Sequence, residues 1–161
     1  MNLYRYFSLL FSYPNEKRMK ELVEISQDVN GSLARSRELL ARVPIEELQA
    51  EYTRLFISAY PKLLCPPYES FYREGVVYGN SSIEVGEWYS KQGLRFSLEG
   101  EPPDILSAEL DYLAITNDPA FLERMQEWVF EFTGLVKRNS PLYGPAAAEM
   151  EECLKQAQSL A

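Results

Sequence analysis

Apolar residues recur at the spacing of an α-helix along most of the chain, and this periodicity limits the fold more than any other feature. Ile45, Leu48, Tyr52 and Leu55 recur at i, i+3, i+7 and i+10, which places them on one face of a helix. Only residues 75 to 78 approach the two-residue alternation of a β-strand. The sequence therefore predicts an all-α fold, a bundle of about seven or eight helices.

The ends of the predicted helices are marked by prolines, turn residues and capping residues. Pro14 ends the first helix, and Asn30-Gly31 separates a second helix, from about Glu16 to Val29, from a third. Ser81 and Glu84 have the spacing of a capping box at the start of a later helix. Apolar residues from Phe121 to Leu135 form one stripe over four turns, which predicts a single continuous helix there.

The stretch GEPPDI, residues 100 to 105, interrupts this helical pattern with two prolines between two carboxylates. We expect residues 1–161 to form a single helical domain, with halves at about 1–99 and 105–161 joined by a Pro-rich hinge at 100–104. Because a short hinge between two helical halves invites exchange of the halves between copies, the expected state is a monomer or a domain-swapped homodimer.

Composition excludes several classes of function. The chain has 24 acidic and 16 basic residues and a net charge of -8, which disfavours binding to nucleic acid or to a membrane surface. It has no histidine, which removes Ser-His-Asp and Cys-His catalysis and imidazole metal ligands. Cys65 and Cys153 form no CxxC pair, so the sequence indicates neither a zinc site nor a disulfide framework. No stretch is apolar enough to insert into a membrane, and no signal-peptide cleavage site follows the first helix. A cytoplasmic location is therefore expected.

Acidic residues around the interruption allow an enzymatic interpretation. Glu101 and Asp104 could act as a general acid and base on a rigid loop, which would give a carboxylate-based nucleotide-binding or hydrolytic protein. Asp104 could instead cap the helix that begins at Ile105. No phosphate-binding glycine motif occurs, and Glu109 and Asp111 point to different sides of a helix, so they cannot share a metal ion. We expect no enzyme activity, no cofactor and no metal.

Aromatic residues and prolines crowd the segment before this interruption. The aromatic members are Tyr52, Phe56, Tyr60, Tyr68, Phe71 and Tyr72. Each could belong to the core, or together they could form a face that binds a folded partner. Tyrosine and proline are also typical of peptide grooves, because rigid rings give contact area at little entropic cost. With acidic edges, such a groove would suit an arginine-bearing apolar peptide.

Two sequence blocks carry a resemblance to a known family. EYTRLFISAYPKLLCPPYESFYREG (residues 51–75) and GEPPDILSAELDYLA (residues 100–114) resemble the redox-enzyme maturation chaperones of the TorD, DmsD and NarJ type, and EWVFEFTGLVKRNSPLYGPAAAEM is similar to the C-terminal pattern of that family. The resemblance implies a helical, non-enzymatic chaperone. Its partners would be the catalytic subunit of a molybdenum-cofactor oxidoreductase and the N-terminal, often twin-arginine, signal peptide of that subunit, which it holds back from export until the cofactor is loaded.

The resemblance also implies peptide-contact positions. They are Tyr52, Leu55, Phe56, Pro66, Pro67, Tyr68, Glu69, Ser70 and Tyr72 in the first block, and Glu101, Pro102 and Asp104 in the second. The family commonly has histidine where this chain has Ile105. From their chemistry we expect Glu69, Glu101 and Asp104 to accept hydrogen bonds from arginine. We expect Leu55, Phe56, Tyr68 and Ile105 to take the apolar stretch, and Glu109 and Tyr112 to extend the groove.

Overall fold

A computed structural model describes residues 2–27 and 33–160, without the side chains of residues 158–160, and within these ranges the fold is all-helical. The helices are α1 (Leu3–Leu10), α2 (Glu16–Ser26), α3 (Ala34–Arg42), α4 (Ile45–Tyr52), α5 (Glu69–Glu74), α6 (Asn80–Lys91), α7 (Leu106–Thr116), α8 (Pro119–Gln126), α9 (Val129–Asn139) and α10 (Gly144–Leu160). A π-helical segment, Thr53–Ile57, continues α4. The all-α prediction is confirmed, with ten α-helices in the described ranges rather than seven or eight.

One additional helix arises where the Phe121 to Leu135 stripe is divided. The backbone N–H of Trp128 donates to the carbonyl of Met125 at 3.1 Å, a tightened turn between α8 and α9. The Trp128 ring is buried there and stacks on Tyr72, with 5.5 Å between ring centroids. The prediction of one continuous helix was therefore wrong, although its residues Phe121, Met125, Trp128 and Phe132 are all buried. Leu135, the last residue of the predicted stripe, is only half-buried.

Two other local predictions differ from the structure. Helix α6 begins at Asn80, and the backbone N–H and hydroxyl of Ser81 both donate to the Glu74 carboxylate at 2.7 Å, so Ser81 and Glu84 form no capping box. Residues 75 to 78 form turns rather than a strand. The predicted break at residues 30–31 lies outside the described residues, as does the predicted extension of α2 to residue 29.

The helical halves pack closely together. Helix α1 packs along α7, and α9 packs along α10. Leu106, Leu110 and Leu113 of α7 are all fully buried, as their predicted stripe requires. No helix within the described ranges is long and apolar enough to cross a membrane. The division into halves at residues 100–104 stays a prediction.

Candidate functional site

The two signature blocks, separated in sequence by residues 76–99, lie side by side in the structure. The backbone N–H of Glu69 donates to the carbonyl of Asp104 at 3.2 Å, and the N–H of Leu106 donates to the carbonyl of Pro67 at 2.8 Å. These two bonds form an isolated antiparallel bridge between Tyr68 and Ile105. The start of α5 and the start of α7 are thereby held together, and the predicted site residues of both blocks converge.

Asp104 connects this bridge to two helices. Its side chain is fully buried, its Oδ2 accepts the backbone N–H of Ser70 at 2.7 Å, and its Oδ1 accepts the Ser82 hydroxyl at 2.7 Å. Helix α7 has no side-chain cap, so the prediction that Asp104 caps the helix that follows it was wrong. Because the bridge places residue 104 against the first turn of α5, Asp104 caps that helix instead.

Glu69 is also fully buried, and arginines of this chain occupy its carboxylate. Nη2 of Arg124 lies 2.6 Å from Oε2, and Nε of Arg73 donates to the same oxygen at 2.6 Å. Nε of Arg124 donates more weakly to Oε1 at 3.3 Å. Both oxygens therefore have cationic partners within the chain, and in this arrangement neither is open to the arginine of a peptide.

Glu109 is the third fully buried carboxyl group. The Trp128 indole donates to its Oε1 over a long 3.4 Å, and Oε2 has no hydrogen-bond partner in the part of the chain that the structure describes. Burial and then the nearby negative charge of Glu69 raise the pKa of Glu109 well above its ordinary value of 4.5. The surroundings of Glu109 therefore favour its neutral form over its charged form.

Glu101 is the partly exposed member of the predicted carboxylates. Its Oε2 accepts the Tyr68 hydroxyl at 2.7 Å, and the exposed Tyr78 donates its hydroxyl to the adjacent Gly100 carbonyl at 3.0 Å. Burial and then the hydrogen bond to Glu101 raise the pKa of Tyr68, so its hydroxyl stays protonated and keeps donating. We call Tyr68, Tyr78 and Glu101 the Glu101 face.

Most of the other predicted contact residues are buried. The buried ones are Tyr52, Leu55, Phe56, Pro66, Pro67, Ser70, Pro102, Ile105 and Tyr112. Tyr52 donates its hydroxyl to the Phe11 carbonyl at 3.2 Å. Tyr72 is half-buried against Trp128. These side chains are buried or half-buried in the free chain, and their contact with a peptide stays a prediction.

An apolar groove adjoins the Glu101 face. A cavity of about 270 Å³ lies between the segment 94–98 and α7. Its apolar lining includes Leu94, Phe96, Leu98, Ala108, Tyr112 and Ile115, and its polar lining residues are Arg95, Ser97, Ser107 and Asp111. The Leu98 carbonyl accepts the backbone N–H of Glu101 at 3.3 Å, so the groove begins where the face ends. Sequence reasoning missed this wall and Tyr78, although the alternation of apolar residues at 94, 96 and 98 signals an extended segment.

The geometry gives little support to acid–base chemistry. Both Asp104 oxygens already accept hydrogen bonds in a fully buried position, so Glu101 and Asp104 do not present two accessible carboxyl groups to a substrate. Across residues 2–27 and 33–160, no group of histidine, cysteine, aspartate and glutamate is arranged to hold a metal ion. The site is suited to binding a cationic, partly apolar chain.

Comparisons with known proteins agree with the resemblance of the two blocks. Residues 23–134 match the family model described as nitrate reductase delta subunit. Among solved structures, the chain is similar to a protein from Archaeoglobus fulgidus described as a proposed redox enzyme maturation protein. That match has a TM-score of 0.88 and 38% sequence identity, and it covers 96% of this chain and 93% of the other. No curated protein matches the chain at a significant level.

Proposed function

Because the chain belongs to the nitrate reductase delta subunit family, we propose that it is a redox-enzyme maturation chaperone that binds the N-terminal, often twin-arginine, signal peptide of a molybdenum-cofactor oxidoreductase subunit. It would act in the cytoplasm, keeping the catalytic subunit from export while the cofactor is loaded. The similarity to the Archaeoglobus fulgidus protein over almost the whole chain supports the general role in maturation.

The Glu101 face is the observation that carries the peptide-binding proposal. Glu69 is neutralised by arginines of the chain and Asp104 is enclosed, so Glu101 is the predicted acceptor whose charge is open to a ligand. An incoming guanidinium can bond to Glu101 while its plane lies against the rings of Tyr68 or Tyr78. Lysine lacks the planar fork, so arginine is the favoured cation.

The apolar groove supports the same proposal, because signal peptides carry an apolar stretch after their basic residues. With arginine at Glu101, that stretch would continue past Leu98 along α7 toward Ile115. Leu98 and Ile115 are 44% and 68% exposed in the free chain, so a bound apolar segment would remove them from water. The other buried residues of the predicted set would then fix the shape of the site, whereas Tyr112 lines the groove and would contact the peptide.

Calorimetric titration tests this proposal. The whole chain is titrated with a twin-arginine leader peptide and with its Lys-Lys variant, and the titration is repeated with Glu101→Gln and with Glu99→Gln as the matched control. Glutamine keeps an acceptor for the Tyr68 hydroxyl but loses the charge. Because Glu101 is partly exposed, we expect a loss of about 1–2 kcal/mol, roughly a 5- to 30-fold weaker affinity, and no change for Glu99→Gln.

Two outcomes would contradict the proposal at different levels. If no oxidoreductase leader peptide binds the unmodified chain, the signal-peptide function is wrong. If leaders bind but Glu101→Gln and Glu99→Gln behave alike, the chain binds peptides elsewhere and the Glu101 face is not the site.

A further inference from the structure

The outer face of α9 carries a stripe that the peptide-binding proposal does not use. Val129, Phe132, Thr133 and Val136 face the core. The opposite side presents Glu131, Gly134 and Arg138, with Phe130 and Leu135 half-buried beside them. This side borders an open groove of about 480 Å³ whose other wall is formed by Phe71 and Tyr72 of α5.

Gly134 has no reason within the chain to be glycine. It lies in the interior of α9, where glycine is disfavoured relative to alanine. A Cβ at this position would meet only the flexible end of Arg138, with Nη1 at 3.5 Å, which is an ordinary contact distance. If the flexible Arg138 side chain moves aside, a glycine on this helix face allows another backbone to approach closely.

The charges on this stripe are opposite, and they are placed symmetrically about the point between Gly134 and Leu135. Glu131 and Arg138 are seven positions apart (138 − 131), so they lie about 10 Å apart along the helix with Gly134 and Leu135 between them. In the part of the chain that the structure describes, neither side chain has a hydrogen bond or an ion pair. A second α9, placed antiparallel with a two-fold axis between positions 134 and 135, would oppose each Glu131 to the Arg138 of the other copy.

We propose that this stripe pairs two copies of the chain through an antiparallel α9–α9 contact. The face is complementary to itself, as a two-fold interface requires: Glu131 meets Arg138 at both ends, Gly134 lies at the crossing, and Leu135 and the rim formed by Phe130 and Phe71 cover the centre. This contact differs from domain swapping, because each copy keeps all its helices.

The dimer is expected to depend on concentration. One helix face and its rim give a contact at the small end of the range of specific interfaces. The net charge of -8 on each copy also adds a long-range repulsion. The paired charges therefore determine the orientation and register of the two α9 helices. Substitutions that reverse the sign of one charge in each pair can test this.

Sedimentation equilibrium of the whole chain, with two charge-reversal variants, tests the proposal. The unmodified chain should form a dimer as its concentration rises. Glu131→Arg alone and Arg138→Glu alone should each dimerise about tenfold or more weakly, because like charges then oppose one another at both ends. An equimolar mixture of these two variants should form a heterodimer, because opposite charges face each other again at both ends.

Two controls make the result interpretable. Glu123→Arg makes the same charge change at an exposed position of α8 and should leave dimerisation unchanged. Far-UV circular dichroism should show that each variant keeps its helix content. Gly134→Leu should prevent close approach and give a monomer whatever the charges.

The proposal is overturned if the unmodified chain stays monomeric at every concentration. It is equally overturned if either single variant dimerises like the unmodified chain, as a domain-swapped dimer would, or if folded single variants fail to associate on mixing. Titration with the leader peptide reports on the Glu101 face and is independent of this result.

Discussion

Replacing Asp104 by alanine should destabilise the whole chain, because this carboxylate links α5, α6 and the start of α7. It accepts the Ser70 N–H and the Ser82 hydroxyl at 2.7 Å each, and its backbone carbonyl accepts the N–H of Glu69. Alanine would leave the Ser70 N–H and the Ser82 hydroxyl without a partner in a dry environment. The perturbation therefore removes two charge-assisted bonds and also leaves their donors unsatisfied.

The magnitude follows from these two bonds. A hydrogen bond to a charged group contributes about 1.5–3 kcal/mol, so Asp104→Ala should lower the free energy of unfolding by about 3–5 kcal/mol. Asp104→Asn should cost only about 1–2 kcal/mol. Its amide oxygen can accept the Ser70 N–H while its NH₂ donates to the Ser82 oxygen, so both bonds survive without the charge. The order of the two variants is thus predicted as well as the size.

Urea unfolding followed by circular dichroism measures these free energies, and thermal melting should show a decrease of about 10 °C for Asp104→Ala. Asp111→Ala is the matched control. It removes an aspartate of α7 whose 3.0 Å ion pair with Arg5 is 39% exposed on each side, so its cost should stay below about 1 kcal/mol. Combining Asp104→Ala with Ser82→Ala should be non-additive, because the two changes remove the same bond.

The reasoning would be refuted by a cost for Asp104→Ala no greater than that of Asp111→Ala. A second contradiction would be an asparagine variant as unstable as the alanine variant, because the bonds that asparagine keeps would then contribute nothing. Peptide titration of the folded fraction separates the two roles of Asp104. If Asp104 does not contact the peptide and only positions other residues, the affinity for the peptide should fall in Asp104→Ala together with the stability. Both should recover in Asp104→Asn.

Two further predictions concern the buried carboxyl groups of Glu109 and Glu69. Above pH 4.5 the unfolded chain releases the Glu109 proton that the folded chain keeps, so stability should fall as pH rises toward the raised folded pKa, by up to about 1.4 kcal/mol per pH unit. Glu109→Gln cannot ionise and should gain stability relative to the parent as the pH rises above 5 in urea titrations; parallel profiles would contradict this. Arg124→Ala removes one of the two cations on Glu69 and should cost about 2–4 kcal/mol, against less than about 0.5 kcal/mol for the exposed Arg95→Ala. Equal thermal shifts for these two arginine variants would show that the Glu69 pair does not stabilise the fold.

The sequence predicted the helical class because helical periodicity is a local property. Residues three and four positions apart share a face wherever the helix lies, so Leu106, Leu110 and Leu113 could be assigned to the core before any packing was known. Helical periodicity did not reveal the break between α8 and α9 at Trp128, because the helices on both sides of the break keep an apolar face. A break between two helices is hard to detect from the spacing of apolar residues when that spacing continues across it.

Helices α1, α2 and α8 are capped by the residue that precedes each of them, but two other caps come from distant residues and were predicted wrongly. Ser81 donates to Glu74 rather than forming a box with Glu84, and Asp104 caps α5 rather than the helix that follows it. A sequence rule sees the residues on either side of a helix start. It cannot see a carboxylate brought by another segment, so both predictions were wrong although the residue types were suitable.

The predicted site contained four carboxylates of similar appearance, and only their partners separate them. Burial of a carboxyl group is costly unless the group is ion-paired, hydrogen-bonded or protonated, and the three buried carboxyl groups of the predicted site differ in which of these applies. Glu69 is paired with Arg73 and Arg124, Asp104 accepts two hydrogen bonds, and Glu109 keeps its proton. Glu101 needs none of them because it remains partly in water. A ligand that carries arginine would therefore find its strongest attraction at Glu101, which no spacing rule distinguishes from the other three.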